Sequence, residues 1–391
     1  MLFTIGTILL FGYLAGKLFS RLKLPSLTGM ILVGIVLSYL DLIDDTTLSI
    51  SSDLRRLALV VILTRAGLTL NVSDLKKSGR PAILMCFLPA TFEIIGCILI
   101  LPILFDVSIL EATLIGTVVS AVSPAVVVPR MIHCINHKYG TDKGIPQMIL
   151  AGASADDVYV IVLFTSVCTA LQSGNFSAVT LLKIPISIVL GISLGLLSGY
   201  VLNAIFKKFN IQDTEKMLIL LSVSFGMLKL EDTLTGIVCV SGLLAIMSMN
   251  LTIRYNSPVQ AKSLSEKFNS LWVFAEVLLF VLVGVAVNLD YVKDCGLLAL
   301  VCISIVLLFR MFGVLLCTLG TNLSKKERLF CMVSYCPKAT VQAGIGAVPL
   351  AMGLSCGNVV LTFAVVSILF TATLGAILID NTYKKLLTQE R

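Results

Sequence analysis

The sequence predicts an all-α polytopic membrane protein with about thirteen transmembrane helices. Three observations predict it. Mean hydropathy is +1.01 over 391 residues. Only 13% of residues are charged, against about 25% in soluble domains. Apolar runs of roughly 20 residues, the length that crosses a bilayer, follow one another along nearly the whole chain. The net charge of +7 falls in the short loops between these runs, where it reports topology and does not point to a nucleic-acid partner.

Taken in order, the expected spans are 1–20, 25–40, 54–70, 82–105, 108–130, 146–171, 178–206, 214–230, 234–250, 267–289, 296–320, 327–353 and 358–380. The first has basic residues after it and none before it, so it reads as a span and not as a cleaved signal. The loops test the count. Arg21 and Lys23 follow the first span, Lys76, Lys77 and Arg80 the third, and Arg130, Lys138 and Lys143 the fifth. Lys207, Lys208 and Lys216 follow the seventh, Arg254, Lys262 and Lys267 the ninth, Lys325, Lys326 and Arg328 the eleventh. Lys384, Lys385 and Arg391 close the chain. The alternate loops hold Asp41, Asp44, Asp45 and Asp53, then Asp106 and Glu111, then Glu231 and Asp232, then Asp290 and Asp294. Lys293, Arg55 and Arg56 are the exceptions. The alternation predicts an outer N-terminus and a cytoplasmic C-terminus, in a plasma membrane of bacterial type.

An internal repeat is visible. Leu63-Thr-Arg-Ala-Gly-Leu-Thr-Leu-Asn71 ends the third span and Leu282-Val-Gly-Val-Ala-Val-Asn-Leu-Asp290 ends the tenth. Each precedes a span with one buried charge (Glu93 or Arg310) and then a span interrupted by proline. The partners lie an odd number of spans apart, so the second copy is inverted, which is a plan of secondary transporters. The repeats are expected over about 1–171 and 214–380, with 178–206 as the linking span.

Two acids stand in the middle of a span. Ile149-Leu-Ala-Gly-Ala-Ser-Ala-Asp-Asp-Val-Tyr-Val-Ile-Val-Leu-Phe164 carries Asp156 and Asp157 side by side. A charge at the centre of a membrane helix costs roughly 3 kcal/mol on insertion scales, so it reads as functional by default. The two side chains point about 100° apart around a helix and can line one polar cavity, where a proton or a cation neutralises them. The alternative is an acid pair held by neighbouring donors with no transport role. Pro124 and Pro129 interrupt one span, and Pro337, Gly344, Gly346 and Pro349 another. Such backbone at membrane depth lines a cavity or is buried in protein. Ser120, Ser123, Thr340 and Gln342 supply polar side chains there; packed, inert kinks are the alternative. Arg310 needs a buried partner, and Glu93 and Asp156 are both candidates. Lys338 sits at the second break, where it reads as a counter-charge to helix ends. Glu276 reads as lying near the cytoplasmic end of its span, with a second ion-path acid as the alternative, and Arg65 reads as snorkelling. His133 and His137, in a cytoplasmic loop, have a metal-like spacing without further ligands. The cysteines inside apolar runs (Cys86, Cys97, Cys168, Cys239, Cys302, Cys317) read as small core residues. Asn175-Phe-Ser177 is a glycosylation sequon that matters only in a secretory membrane. No nucleotide motif and no Ser/His/Asp set appears, so the expectation is a transporter and not an enzyme, with no cofactor, driven by an ion gradient.

Four stretches, Val122-Ser-Pro-Ala-Val-Val-Val-Pro129, Gly152-Ala-Ser-Ala-Asp-Asp-Val158, Phe280-Val-Leu-Val-Gly284 and Pro337-Lys-Ala-Thr-Val-Gln-Ala-Gly-Ile-Gly-Ala-Val-Pro349, resemble the monovalent cation:proton antiporter superfamily. Within it the resemblance is to sodium/hydrogen exchangers, nearest to the NHA-type branch and its bacterial relatives. It implies the Na+/H+ antiporter fold, with two crossing discontinuous helices, core helices over 82–171 and 296–380, and dimerisation or scaffold helices over 1–70 and 178–289. It also implies a homodimer in lipid, with no nucleotide or nucleic acid. Residue by residue, it implies Asp157 as the main carboxylate for Na+ or Li+ and for H+, and Asp156 as its partner. Ser154 joins them as an ion-binding residue; Ser123 and Pro124 lie at one crossing, Lys338, Thr340 and Gln342 at the other, with Arg310 and Glu93 as supporting charges. The position before Pro124 is Ser123, where other branches carry aspartate.

The function expected is exchange of Na+ or Li+ for H+ by alternating access, the acid pair being shared between cation and proton. K+/H+ exchange and Na+-coupled symport of an organic anion are the alternatives. An intramembrane aspartyl protease is excluded on geometry, because its two acids come from separate helices facing one water and Asp156 and Asp157 are adjacent.

Overall fold

Proline, glycine and short polar side chains divide this apolar chain into helices. A computed structural model describes residues 1–69, 79–172, 178–209, 211–234 and 240–390, the side chains of Ser154 and of 178–185 excepted. The helices are α1 Leu2–Arg21, α2 Ser26–Tyr39, α3 Asp45–Thr69, α4 Gly79–Met85, α5 Leu88–Leu104, α6 Ile109–Val119, α7 Pro124–Asn136, α8 Ile145–Gln172, α9 Ala178–Lys208, α10 Asp213–Leu234, α11 Gly242–Asn256, α12 Pro258–Val285, α13 Leu289–Thr318, α14 Lys325–Ser334, α15 Thr340–Ile345, α16 Val348–Ala351, α17 Gly357–Ser367 and α18 Thr373–Leu386. A π-helical turn, Ile368–Ala372, joins the last two. Pro124 and Pro258 start their helices where no backbone donor is needed. Ser108 with Glu111, and Ser324 with Glu327, form reciprocal capping boxes that start α6 and α14.

The all-helical membrane fold expected from the sequence is present. Among the described residues eight helical segments are long and apolar enough to cross a bilayer: Leu2–Arg21, Gly79–Leu104, Ile109–Asn136, Ile145–Gln172, Ile186–Lys208, Pro258–Val285, Leu289–Thr318 and Gly357–Leu386. Ser26–Tyr39 and Thr340–Ala351 are apolar but shorter. The count of thirteen therefore does not carry over directly. The expected span 327–353 is three short helices, and α11 has only 15 residues. The span expected to stop at 130 continues to Asn136, so His133 lies on α7 and His137 just caps it. Their rings stack at 4.0 Å, His133 Nε2 is 3.4 Å from the Tyr383 hydroxyl, and no third metal-ligating residue joins them among the described residues. Cys239 and the sequon Asn175-Phe-Ser177 lie outside the described residues; the described cysteines are free thiols.

The chain divides into two units, Met1–Ser52 with Val72–Val160 and Val277–Arg391, and Asp53–Asn71 with Ile161–Glu276. In the first, small residues bring α5 and α13 together. A Cβ on Gly96 would lie 2.9 Å from the Phe309 ring, and one on Gly313 2.8 Å from Pro89 Cα. Gly96 and Gly313 stand three residues after Glu93 and Arg310, on the same helix faces. This close approach lets two buried ions meet. The C-terminal stretch is pinned as well: Gly140 N–H donates to Thr388 O at 2.8 Å and Glu390 N–H to Lys138 O at 2.9 Å. Lys143 then grips the cap residue Glu327 at 2.8 and 2.9 Å, which ties the turn before α8 to the start of α14.

The second unit is built on a glycine seam. Gly191, Gly195 and Gly199 of α9 face Ser241, Ala245 and Met249, the N-cap and two later residues of α11. A Cβ added at each glycine would lie 2.6, 2.3 and 2.5 Å from the respective carbonyl oxygens. Both sets step by four in the same direction, so the two helices run parallel with backbones nearly touching, the packing small residues allow in membranes. Arg56 of α3 holds Asp232 of α10 with two bonds of 3.0 and 3.1 Å. Arg65 is half-buried, and its guanidinium lies 6.0 Å over the ring centre of Trp272, one turn before Glu276 on α12.

This seam makes a prediction. Gly195→Ala lowers the melting temperature in detergent by an amount corresponding to about 1–3 kcal/mol of overpacking. Gly226→Ala and Gly6→Ala, where a Cβ meets nothing within 4 Å, leave it unchanged or raise it, because alanine is the better helix former.

Candidate ion-binding site

Proline and the residues before it cannot continue a helix, and two helix pairs are interrupted accordingly. The first break is 120–123, between α6 and α7; the second is 335–339, between α14 and α15. The breaks meet: Ser123 N–H donates to Pro337 O at 2.7 Å. Buried backbone groups need partners, and here they find them in side chains. At the first break Val122 N–H donates to Asp156 Oδ2 at 2.8 Å. Gln342 Nε2 donates to Ala121 O at 2.8 Å and to Val119 O at 3.3 Å, which also fixes which end of that amide is nitrogen. Ser120 O accepts from Arg310 Nη1. At the second break Tyr335 O accepts from Arg310 Nε at 2.5 Å, and Lys338 N–H donates to Thr371 Oγ1 at 3.0 Å.

Four charges, Glu93, Asp156, Arg310 and Lys338, form one connected set, and Asp157 adjoins it in the chain. Arg310 is fully buried. It contacts both candidates named from the sequence: Glu93 Oε2 at 2.9 Å and Asp156 Oδ2 at 3.3 Å. Lys338 is also fully buried and is 2.7 Å from the same Glu93 oxygen. Its ammonium therefore answers a carboxylate and not a helix end. Asp157, the next residue after Asp156, is 7% exposed. Three acids against two bases leave the set one negative charge in excess when all are ionised.

Several buried oxygens have no hydrogen-bond partner among the described residues: Asp156 Oδ1, Asp157 Oδ1, Ser123 Oγ and Gln342 Oε1. Ser123, Asp156 and Gln342 all contact or belong to the segment 119–123. Carboxylate, hydroxyl and amide oxygens are the donor types that hard cations take. Of the other residues named from the sequence, Pro124 starts α7 and Thr340 is buried at the start of α15. The side chain of Ser154 lies outside the described residues. Glu276 and Arg65 belong to the second unit and are not among these contacts. Two residues the sequence did not single out take part. Thr371 lies in the π-helical turn and reads as one more small residue of an apolar span. Tyr335 supplies both a carbonyl and an aromatic face, 5.3 Å from ring centre to guanidinium.

The chain is similar to known proteins over nearly its full length. Residues 6–384 match the model of the transmembrane sodium/hydrogen exchanger family. Sodium/hydrogen exchanger 9B2 of Xenopus tropicalis is 32% identical, over 99% of this chain and 75% of that protein. The human exchanger of the same name is 31% identical, over 96% and 73%. The solved structure of the sodium proton antiporter MjNhaP1 from Methanocaldococcus jannaschii at pH 8 shares the fold, with a TM-score of 0.83 at 19% identity over 98% of this chain and 97% of that one. Fold and matches together define a multi-pass membrane transporter of the monovalent cation:proton antiporter superfamily. Within that superfamily the chain belongs to the sodium/hydrogen exchanger family.

The charge set makes a prediction about stability. Glu93→Gln leaves the buried Lys338 without a counter-ion, and breaking a buried pair on one side costs about 3–5 kcal/mol. The melting temperature in detergent falls accordingly, and Glu93→Gln combined with Lys338→Met recovers much of the loss. Equal melting temperatures for wild type and Glu93→Gln would contradict the pairing.

Proposed function

We propose that this chain exchanges Na+ or Li+ for H+ by alternating access, with Asp157 as the main carboxylate and Asp156 as its partner. The observation that carries the reading is the single excess negative charge of the buried set, beside carboxylate oxygens that lack partners. One proton neutralises that set, and so does one monovalent cation. Both together leave a buried positive charge, which is costly. Cation and proton therefore compete for one place, and competition coupled to a change of access is antiport. Asp156 is already engaged by Val122 N–H and Arg310, so Asp157, whose Oδ1 is free, is the acid that gives up its proton and takes the ion. Ser123 and Gln342 lend neutral oxygens; Pro124 and Thr340 start the helices that leave the two breaks, and Ser154, on the helix of the acid pair, belongs to the site in the same reading. No cofactor is needed.

In this reading the core helices over 82–171 and 296–380 carry the ion and the scaffold helices over 1–70 and 178–289 form a homodimer in lipid. The alternation of loop charges supports an outer N-terminus and a cytoplasmic C-terminus. The two exchangers compared above are vertebrate proteins, and a bacterial-type membrane is not part of the reading.

Reconstituted wild type is expected to dissipate an imposed pH gradient on addition of Na+ or Li+, and Asp157→Asn is expected not to. A response to K+ in preference to Na+ would make it a K+/H+ exchanger through the same acid. Identical behaviour of the two proteins, with no cation response, would overturn the reading. For orientation, a cysteine placed at residue 391 in a thiol-free background is expected to react with an impermeant maleimide only from the cytoplasmic side.

A further inference from the structure

Tyr335 is a buried residue that the proposed exchange leaves without a role. Its side chain is fully enclosed, and the residue makes three separate approaches to the machinery, two by the side chain and one by its backbone. Its ring lies under the Arg310 guanidinium, 5.3 Å from ring centre to Cζ, a distance at which a cation is drawn to an aromatic face. Its backbone oxygen receives Arg310 Nε at 2.5 Å, so the same residue holds that guanidinium by face and by edge. Its hydroxyl donates to Met85 O at 3.2 Å. Met85 ends α4, and α5 with Glu93 begins three residues later.

The hydroxyl has a second neighbour. A Cβ built on Gly152 would lie 2.4 Å from Tyr335 Oη and 2.8 Å from Met85 Cβ. Gly152 is on α8, four residues before Asp156, and positions four apart share one face of a helix. The phenol therefore rests on the bare backbone of the acid-bearing helix one turn before the acid. One side chain contacts the helix of Asp156 and Asp157, the entry to the helix of Glu93, and the guanidinium that bonds both Glu93 and Asp156. A residue chosen only to fill space needs no hydroxyl and no glycine opposite it.

We propose that Tyr335 is a positioning residue for cation exchange. Its ring and carbonyl aim Arg310 between Glu93 and Asp156, and its hydroxyl, seated on Gly152, sets the depth at which the acid pair presents its free oxygens. The proposal rests on the antiport reading above. It makes Tyr335 a determinant of apparent cation affinity, with Gly152 as its counterpart.

The test measures Na+-driven dissipation of a pH gradient in proteoliposomes for wild type, Tyr335→Phe, Gly152→Ala and the double variant, with the melting temperature of each. Tyr335→Phe keeps the ring under Arg310 and loses only the hydroxyl. The expected result is a two- to tenfold change in KM for Na+, about the span of one neutral hydrogen bond, with the maximal rate little altered. Gly152→Ala is expected to shift KM further. The two changes are expected to be non-additive: adding Gly152→Ala to Tyr335→Phe has a smaller effect than in wild type, because Oη no longer occupies the place of the new methyl, although Met85 Cβ still crowds it. If Gly152→Ala does not fold, the KM of Tyr335→Phe decides alone. A Tyr335→Phe protein with wild-type KM, whatever its melting temperature, overturns the proposal while cation exchange itself stands. A wild type without cation response overturns the antiport reading and this proposal with it.

Discussion

The guanidinium of Arg310 is the contact on which the structure of the first unit depends. Two helices are broken at membrane depth, and each break exposes backbone groups in surroundings with no bulk water to receive them. Arg310 takes a carbonyl from each break, Ser120 O and Tyr335 O, and with its remaining donors reaches Glu93 and Asp156. A planar fork of five donors is suited to this as an ammonium is not. The breaks are thus not independent kinks. They are two halves of one arrangement with a cation at its centre, closed by the direct bond from Ser123 to Pro337.

Burying that cation has a consequence for chemistry. Ions taken out of water require counter-ions and hydrogen bonds in good geometry. Glu93 serves both Arg310 and Lys338, and Asp156 serves Arg310 and a backbone amide at once. This leaves Asp157 next to a neutralised neighbourhood and without a fixed partner for its Oδ1. The charges of Glu93, Asp156, Arg310 and Lys338 cancel among themselves, and the negative charge left over is that of Asp157. The same arrangement explains why the fold needs glycine at 96 and 313: without close approach of α5 and α13 the Glu93–Arg310 distance does not close.

Much of this was legible in the sequence, because charges and prolines inside apolar runs are expensive and therefore conspicuous. Asp156, Asp157, Glu93, Arg310, Lys338 and the two proline-marked breaks all stood out for that reason. What the sequence left open was which acid Arg310 serves; the structure gives it both. Tyr335 and Thr371 were silent, since a tyrosine or threonine in an apolar span costs little and acts here through a carbonyl, a ring face or one hydroxyl. The spans were located better than they were counted: hydropathy sees length, and a span broken into three short helices over 325–351 is not long anywhere. The approach of Arg65 to Trp272 was not legible, because the ring is some two hundred residues away in the chain.

The claim that one guanidinium secures both breaks is open to direct measurement by hydrogen exchange with mass spectrometry in lipid nanodiscs, comparing wild type with Arg310→Gln. The account predicts faster exchange in peptides covering 120–123 and 335–339 together, with unchanged protection along 186–208 in the other unit, since loss of the shared donor opens both breaks by local unfolding. Faster exchange at one break alone, or at neither, would contradict it.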